Sequence, residues 1–128
     1  MVKKYLGVDY GTKRIGLAIG GSDSKTAVVF GTANNIDEIV KIVKEEDIDA
    51  VVLGKPYSVA DRGHELPENF RKFAGELKSK ISAEIIFEDE RLSSKYADSL
   101  IGDKKTKASR DEIAAVSILQ GHFDKSSK

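Results

Sequence analysis

The stretch YLGVDYGTKRIG, Tyr5 to Gly16, decides the fold. Tyr5, Leu6, Val8 and Tyr10 spell a short buried strand, yet Asp9 sits inside it, between Gly7 and Gly11. A carboxylate in such a strand is costly unless it is paired, so Asp9 requires a hydrogen-bonding, cationic or metal partner. Only Gly11-Thr12-Lys13 separates this strand, Lys4 to Tyr10, from the next, Arg14 to Gly20. A connection that short forces an antiparallel hairpin.

Outward from the hairpin, the turn Gly20-Gly21-Ser22-Asp23-Ser24 leads into a third strand, Thr26 to Gly31, which completes a meander. The period then changes: Ile36, Ile39, Val40 and Val43 lie at i, i+3, i+4 and i+7, the apolar stripe of a helix. Asn35 with Glu38 three residues on is a start resembling a capping box. Ala50-Val51-Val52-Leu53 is a continuous apolar run stopped by Gly54 and Pro56, as expected of a parallel strand covered on both faces. The helix before it is the right-handed crossover that makes parallel pairing possible. Tyr57 to Leu66 has no period and reads as a mobile surface loop. Pro67 marks a second helix start, with Phe70, Phe73, Ala74, Leu77 and Ile81 on one stripe. Glu84 to Glu88 is the fifth strand, Ser93 to Ile101 a short helix, and Arg110 to Phe123 the last helix, opened by Ser109 with Glu112. Asp124 to Lys128 is expected to fray. The order βββαβαβαα is α/β: a five-stranded mixed sheet, an antiparallel meander of three followed by two parallel strands, with helices packed on it. This is the ribonuclease H-like topology.

Composition bounds what such a sheet can do. With 128 residues, 40% hydrophobic and 33% charged, residues 1–128 read as one domain with a full core and no room for two lobes around a cleft. The absence of cysteine excludes disulfides, thiolate zinc sites and cysteine nucleophiles. Asp9 interrupts the apolar run behind Lys3 and Lys4, against a signal peptide, and no segment reaches the roughly 18 apolar residues of a membrane span. A cytoplasmic protein is expected, with no membrane partner. Twenty-one basic residues balance twenty-one acidic ones, so bulk charge does not announce a nucleic-acid binder. The distribution is less even: Lys104, Lys105, Lys107 and Arg110 cluster immediately before Asp111. Such a run is often no more than a solvated loop.

Three groups of acids could converge. Asp9 lies on the first strand, Asp89-Glu90 closes the apolar run Ile85 to Phe87, and Asp111 opens the last helix, where small Ala114 and Ala115 let that helix approach the sheet. Carboxylates far apart in sequence, each at the end of a regular element, are what a divalent-metal phosphoryl-transfer site requires. Each has a plainer explanation as well: a turn cap for Asp9, favourable helix dipole for Asp111, an ion pair with Arg91 for the acid pair. Of that pair, Glu90 is the favoured ligand and Asp89 its substitute. Arg91 has the planar fork for a phosphate, and Thr12, Lys13 and Arg14 at the hairpin tip, with Lys104, Lys105, Lys107 and Arg110, are candidates for the nucleic-acid backbone. His64 and His122 lack a second histidine at metal-ligand spacing.

LGVDYGTKRIGLAIG, then VVLGKP, then FEDERLSS, then RDEIAAVSIL, in this order and from about Lys4 to Phe123, together resemble the YqgF family. Its members resemble Holliday-junction resolvases and are described as nucleases maturing the 5′ end of pre-16S ribosomal RNA. The resemblance implies a ribonuclease H-like fold, a cytoplasmic location, and a Mg²⁺ or Mn²⁺ site from Asp9, the Asp89-Glu90 pair and Asp111. Catalysis would rest on Asp9, Glu90 and Asp111, and the partners would be structured RNA or DNA junctions and the pre-ribosome, bound by a monomer or weak dimer. One departure from the wider superfamily is that the fourth strand ends in Leu53-Gly54-Lys55-Pro56, without an acid. That departure and the zero net charge favour a competing expectation, a non-catalytic RNA-binding factor of ribosome assembly. A third, the first phosphate motif of the actin and sugar-kinase superfamily at Asp9 to Thr12, lacks the second domain that those ATP clamps need.

Overall fold

The computed structural model describes residues 2–10, 14–55, 68–89 and 110–126, without the side chains of positions 55, 89, 110, 111 and 126. Strand β1 (Lys4–Tyr10) is followed by β2 (Ile15–Gly21) and β3 (Val28–Ala33), helix α1 (Ile36–Glu45), β4 (Ala50–Lys55), α2 (Glu68–Lys80), β5 (Glu84–Asp89) and α3 (Arg110–Ser126). The sheet has five strands in the order β3-β2-β1-β4-β5. β1 pairs antiparallel with β2 and parallel with β4, β2 antiparallel with β3, and β4 parallel with β5. This is the expected mixed sheet, and it makes the Asp9 strand its centre. The expected short helix over Ser93 to Ile101 and the loop over Tyr57 to Leu66 lie outside the described residues.

The two-residue period of β1 divides the core. Leu6 and Val8 are fully buried and belong with Leu17, Val51, Leu53, Ile39, Phe70 and Leu77, the layer under α1 and α2. Tyr5 packs into the opposite layer, with Ala18, Val52, Ala115, Val116, Ile118, Leu119 and Phe123 under α3. Each fully buried Leu, Ile, Val or Phe contributes about 1.5–3 kcal/mol of transfer free energy, so these two layers supply the main driving force. Asp9, even-spaced from Tyr5 and Gly7, falls on the α3 face.

Helix α1 begins as its sequence dictates: the Asn35 side chain accepts a hydrogen bond from the Glu38 backbone N–H at 3.0 Å. The returning bond goes one residue earlier than in a capping box, from Asn34 N–H to the Glu38 carboxylate. Helix α1 and helix α2 are tied by Lys80, whose ammonium lies 3.2 Å from Asp37 and 3.1 Å from Glu76.

Several boundaries differ from expectation, and at both ends of β3, the end of β4 and the end of α3 the physical reason is visible. β3 starts at Val28 rather than Thr26, because the Ala27 N–H donates to Gln120 of α3 at 3.0 Å instead of joining the ladder. It then runs on to Ala33 through a bulge: Leu17 pairs with Gly31 and Ala18 with Val29, leaving Phe30 over, and Gly31 takes φ +152°. That conformation suits a residue without Cβ. β4 continues past Gly54 to Lys55, held by pairing of Gly54 with Glu88 and Lys55 with Asp89. The expected fray from Asp124 is replaced by helix to Ser126, with Asp124 accepting from Gln120 at 3.1 Å and Lys125 anchored on β5.

Candidate active site

Asp9 is 9% exposed, the deepest-set charged group on the central strand. It is not without a partner there. Its cross-strand neighbour on β2 is Gly16. Extending the β1–β4 register one residue past Val8–Leu53 sets Gly54 on its other side, and Gly54 in turn pairs with Glu88. Both sheet positions flanking Asp9 on its face therefore lack a side chain. Those positions are Gly16 and Gly54 on the neighbouring strands. Gly7 in its own strand leaves no such room: a Cβ there would lie 2.8 Å from both the Ala115 carbonyl oxygen and Leu119 Cβ. Gly7 is instead what lets α3 touch the sheet.

The direction of α3 follows from two contacts. The Tyr5 ring meets Phe123 at 5.4 Å between centroids, and Gly7 lies under Ala115 and Leu119. Ascending β1 thus means descending α3 toward its N-terminus, and one further step of each brings Asp9 level with the first turn, where position 111 stands. That turn carries the positive end of the helix dipole, which favours anions nearby. Ala115 is fully buried in this approach.

The other expected site residues are placed less directly. Position 89 is the last residue of β5. Arg14 is exposed just before β2. Arg110 is the first residue of α3. Glu90, Arg91, Thr12, Lys13, Lys104, Lys105 and Lys107 lie outside the described residues. The described ends from which their segments leave are the carboxy ends of β1 and β5, and β4 ends at the same edge. Ligands of open α/β sheets bind beyond that edge.

The donor set fits a hard divalent cation. Every candidate ligand is a carboxylate, the oxygen chemistry that Mg²⁺ and Mn²⁺ prefer, and Asp9 has side-chain-free sheet positions beside it. Among the described residues alone no three histidine or acidic side chains converge on one point. No helix among them is long and apolar enough to cross a membrane.

Two features escaped the sequence. Glu88 is 8% exposed, its Oε1 lies 3.2 Å from His122 Nδ1, and its Oε2 accepts from Lys125 Nζ at 2.8 Å. It looks like one more polar strand end, and only its even spacing from Ile86 marks it as facing α3. Gly16 and Gly54 look like strand punctuation until the register aligns them.

Residues 3–125 match the family model described as "RuvX: Holliday junction resolvase". The chain is 33% identical over 133 residues to a protein of Shewanella oneidensis, covering 95% of this chain and 94% of that protein. It is 34% identical over 133 residues to one of Halalkalibacterium halodurans, covering 94% and 95%. Both are named "Putative pre-16S rRNA nuclease". Among solved structures, Thermus thermophilus RuvC superposes with a TM-score of 0.67 at 12% identity, over 99% of this chain and 96% of that one. RuvC of the same organism in complex with a Holliday junction substrate superposes with a TM-score of 0.63 at 9% identity, over 98% and 96%.

Proposed function

Since this chain belongs to the RuvX family and has the fold of RuvC, a ribonuclease H-like fold, we propose that it is a metal-dependent nuclease. In this reading it is a single catalytic domain that matures the 5′ end of pre-16S ribosomal RNA in the cytoplasm. The observation that supports this most strongly is the buried Asp9 carboxylate on the central strand, between two positions without side chains and level with the N-terminus of α3.

Asp9, Glu90 and Asp111 would hold Mg²⁺ or Mn²⁺, with Asp89 the substitute for Glu90. When bound, the cation supplies Lewis-acid stabilisation of the charge that develops on the phosphodiester. The protein's own part is positioning. β1, paired on both sides, fixes Asp9 to within the tolerance of a sheet. The first turn of α3, with the positive end of its dipole, would favour a carboxylate at position 111. Gly16 and Gly54 keep the neighbouring sheet positions free of side chains. Arg91 would engage a phosphate by its planar fork, and Thr12, Lys13, Arg14, Lys104, Lys105, Lys107 and Arg110 would hold the backbone on either side. Phosphate contacts set register and affinity without reading sequence; the substrate class in this reading is structured RNA on the pre-ribosome, as the names of the relatives suggest, with a four-way DNA junction as the competitor.

A second reading, an RNA-binding assembly factor without turnover, is favoured by Gly54, which stands where the fourth strand could have offered another acid. The two separate on one experiment. A 5′-extended pre-16S fragment and a DNA junction are incubated with the protein in Mn²⁺, Mg²⁺ or EDTA. Shortening of the RNA in either metal and not in EDTA supports the nuclease; tight RNA binding without cleavage in any condition supports the binding factor.

A further inference from the structure

Among the described residues, Asp9 and Glu88 are the buried acids, and the proposed reaction uses only the first. Glu88 spends both of its oxygens on α3. Oε2 accepts from Lys125 Nζ at 2.8 Å, and Oε1 lies 3.2 Å from His122 Nδ1. The imidazole is itself held, its centroid 5.5 Å from that of Tyr5, whose ring also meets Phe123 edge-on. A buried ion pair of this kind adds little to stability compared with an apolar pair of the same volume. What it adds is direction: two partners on two oxygens fix how β5 ends against α3. The next residues along β5 are the acid pair Asp89-Glu90, and the other end of the same helix carries Asp111.

We propose that Glu88 is a positioning residue for the carboxylate site. Bridged to His122 and Lys125, it ties the last stretch of β5, which leads into the acid pair, to α3, the helix whose first turn carries position 111. This role rests on the nuclease reading above, since it concerns the affinity of that site for a divalent cation. Groups that orient ligands without touching the metal typically change metal affinity about 10- to 100-fold when removed.

The test is direct Mn²⁺ binding by electron paramagnetic resonance without nucleic acid, beside thermal melting and cleavage as a function of Mn²⁺. The proteins are wild type, Glu88→Gln, Lys125→Met, the double variant and Lys125→Arg. The expected result is Mn²⁺ affinity weakened about tenfold in Glu88→Gln and in Lys125→Met. The double variant is then no weaker than either single one, because one link has been cut. Lys125→Arg, which keeps the pair, stays within about twofold of wild type, and cleavage by the weakened variants recovers at saturating Mn²⁺. Lys125 is half exposed, so its variants fold even where Glu88→Gln does not. Lower melting temperatures with unchanged Mn²⁺ affinity overturn the positioning role and leave the nuclease reading standing. Wild type that binds no Mn²⁺ overturns the carboxylate site and the positioning role together.

Discussion

Gly7 and Asp9 sit two residues apart on one face of β1 and do opposite work. Gly7 brings α3 into contact with the sheet, and Asp9 lies just beyond that contact, beside positions that no side chain fills. A methyl group at position 7 would press on the Ala115 carbonyl and Leu119 Cβ, both at 2.8 Å, and neither is the far end of a flexible chain. Overpacking of this order costs roughly 1–3 kcal/mol. Gly7→Ala is therefore expected to lower the unfolding free energy measured by urea titration by that amount. It should also depress cleavage beyond what the lost stability explains, because lifting α3 moves position 111 away from Asp9. Unchanged stability would mean that α3 does not rest on Gly7. The strand pattern around Asp9 was legible in the sequence because an acid among Leu6, Val8 and Tyr10 breaks the grammar. The glycines that flank it were not, because Gly16 and Gly54 belong to other strands and only the register aligns them.

At the scale of elements, local chemistry predicted starts better than ends. Asn35 caps α1 through the Glu38 N–H as its type and spacing demand. Asn35→Ala is expected to cost about 1 kcal/mol in a denaturant titration. Asn35→Ser, which keeps an acceptor, should recover most of it, and equal loss in both would show that the cap bond contributes nothing. The start of β3 was illegible because its cause is distant in sequence: Gln120 takes the Ala27 N–H from 93 residues away. The end of α3 was illegible for the same reason. Asp124, Lys125 and Ser126 look like a fraying tail, and it is the buried Glu88 across the sheet edge that gives Lys125 a place. Glu88 itself hid in plain view, one residue before the acid pair that drew notice.

The whole molecule carries no net charge, yet its proposed substrate is a polyanion. The two are compatible if the basic residues are concentrated where the sheet's carboxy edge meets the substrate, since Thr12 to Arg14 and Lys104 to Arg110 belong to segments that leave the strands and enter α3 there. The affinity for RNA should then fall linearly on a log–log plot against salt. Removing Lys104, Lys105 and Lys107 together should reduce the slope by about 0.7–0.9 per charge that contacts phosphate. A slope that the triple substitution leaves unchanged would place RNA on another surface. The fold was readable because three hairpin-linked strands followed by βαβ crossovers admit few topologies, and family and fold comparisons agree with it. The proposed site was readable only as a set of acids, since convergence would be a property of register and helix direction rather than of spacing.

The proposed nuclease activity depends on a carboxylate site built around Asp9. Its most direct test is cleavage of a 5′-extended pre-16S fragment by wild type, Asp9→Asn and Asp111→Asn side by side in Mn²⁺, each confirmed folded by its melting curve. Wild type is expected to cut, with cutting abolished by EDTA, and either folded variant to cut at least a hundredfold less, roughly 2.7 kcal/mol in barrier. Equal cutting by all three, or none by any while RNA remains bound, would contradict the proposal.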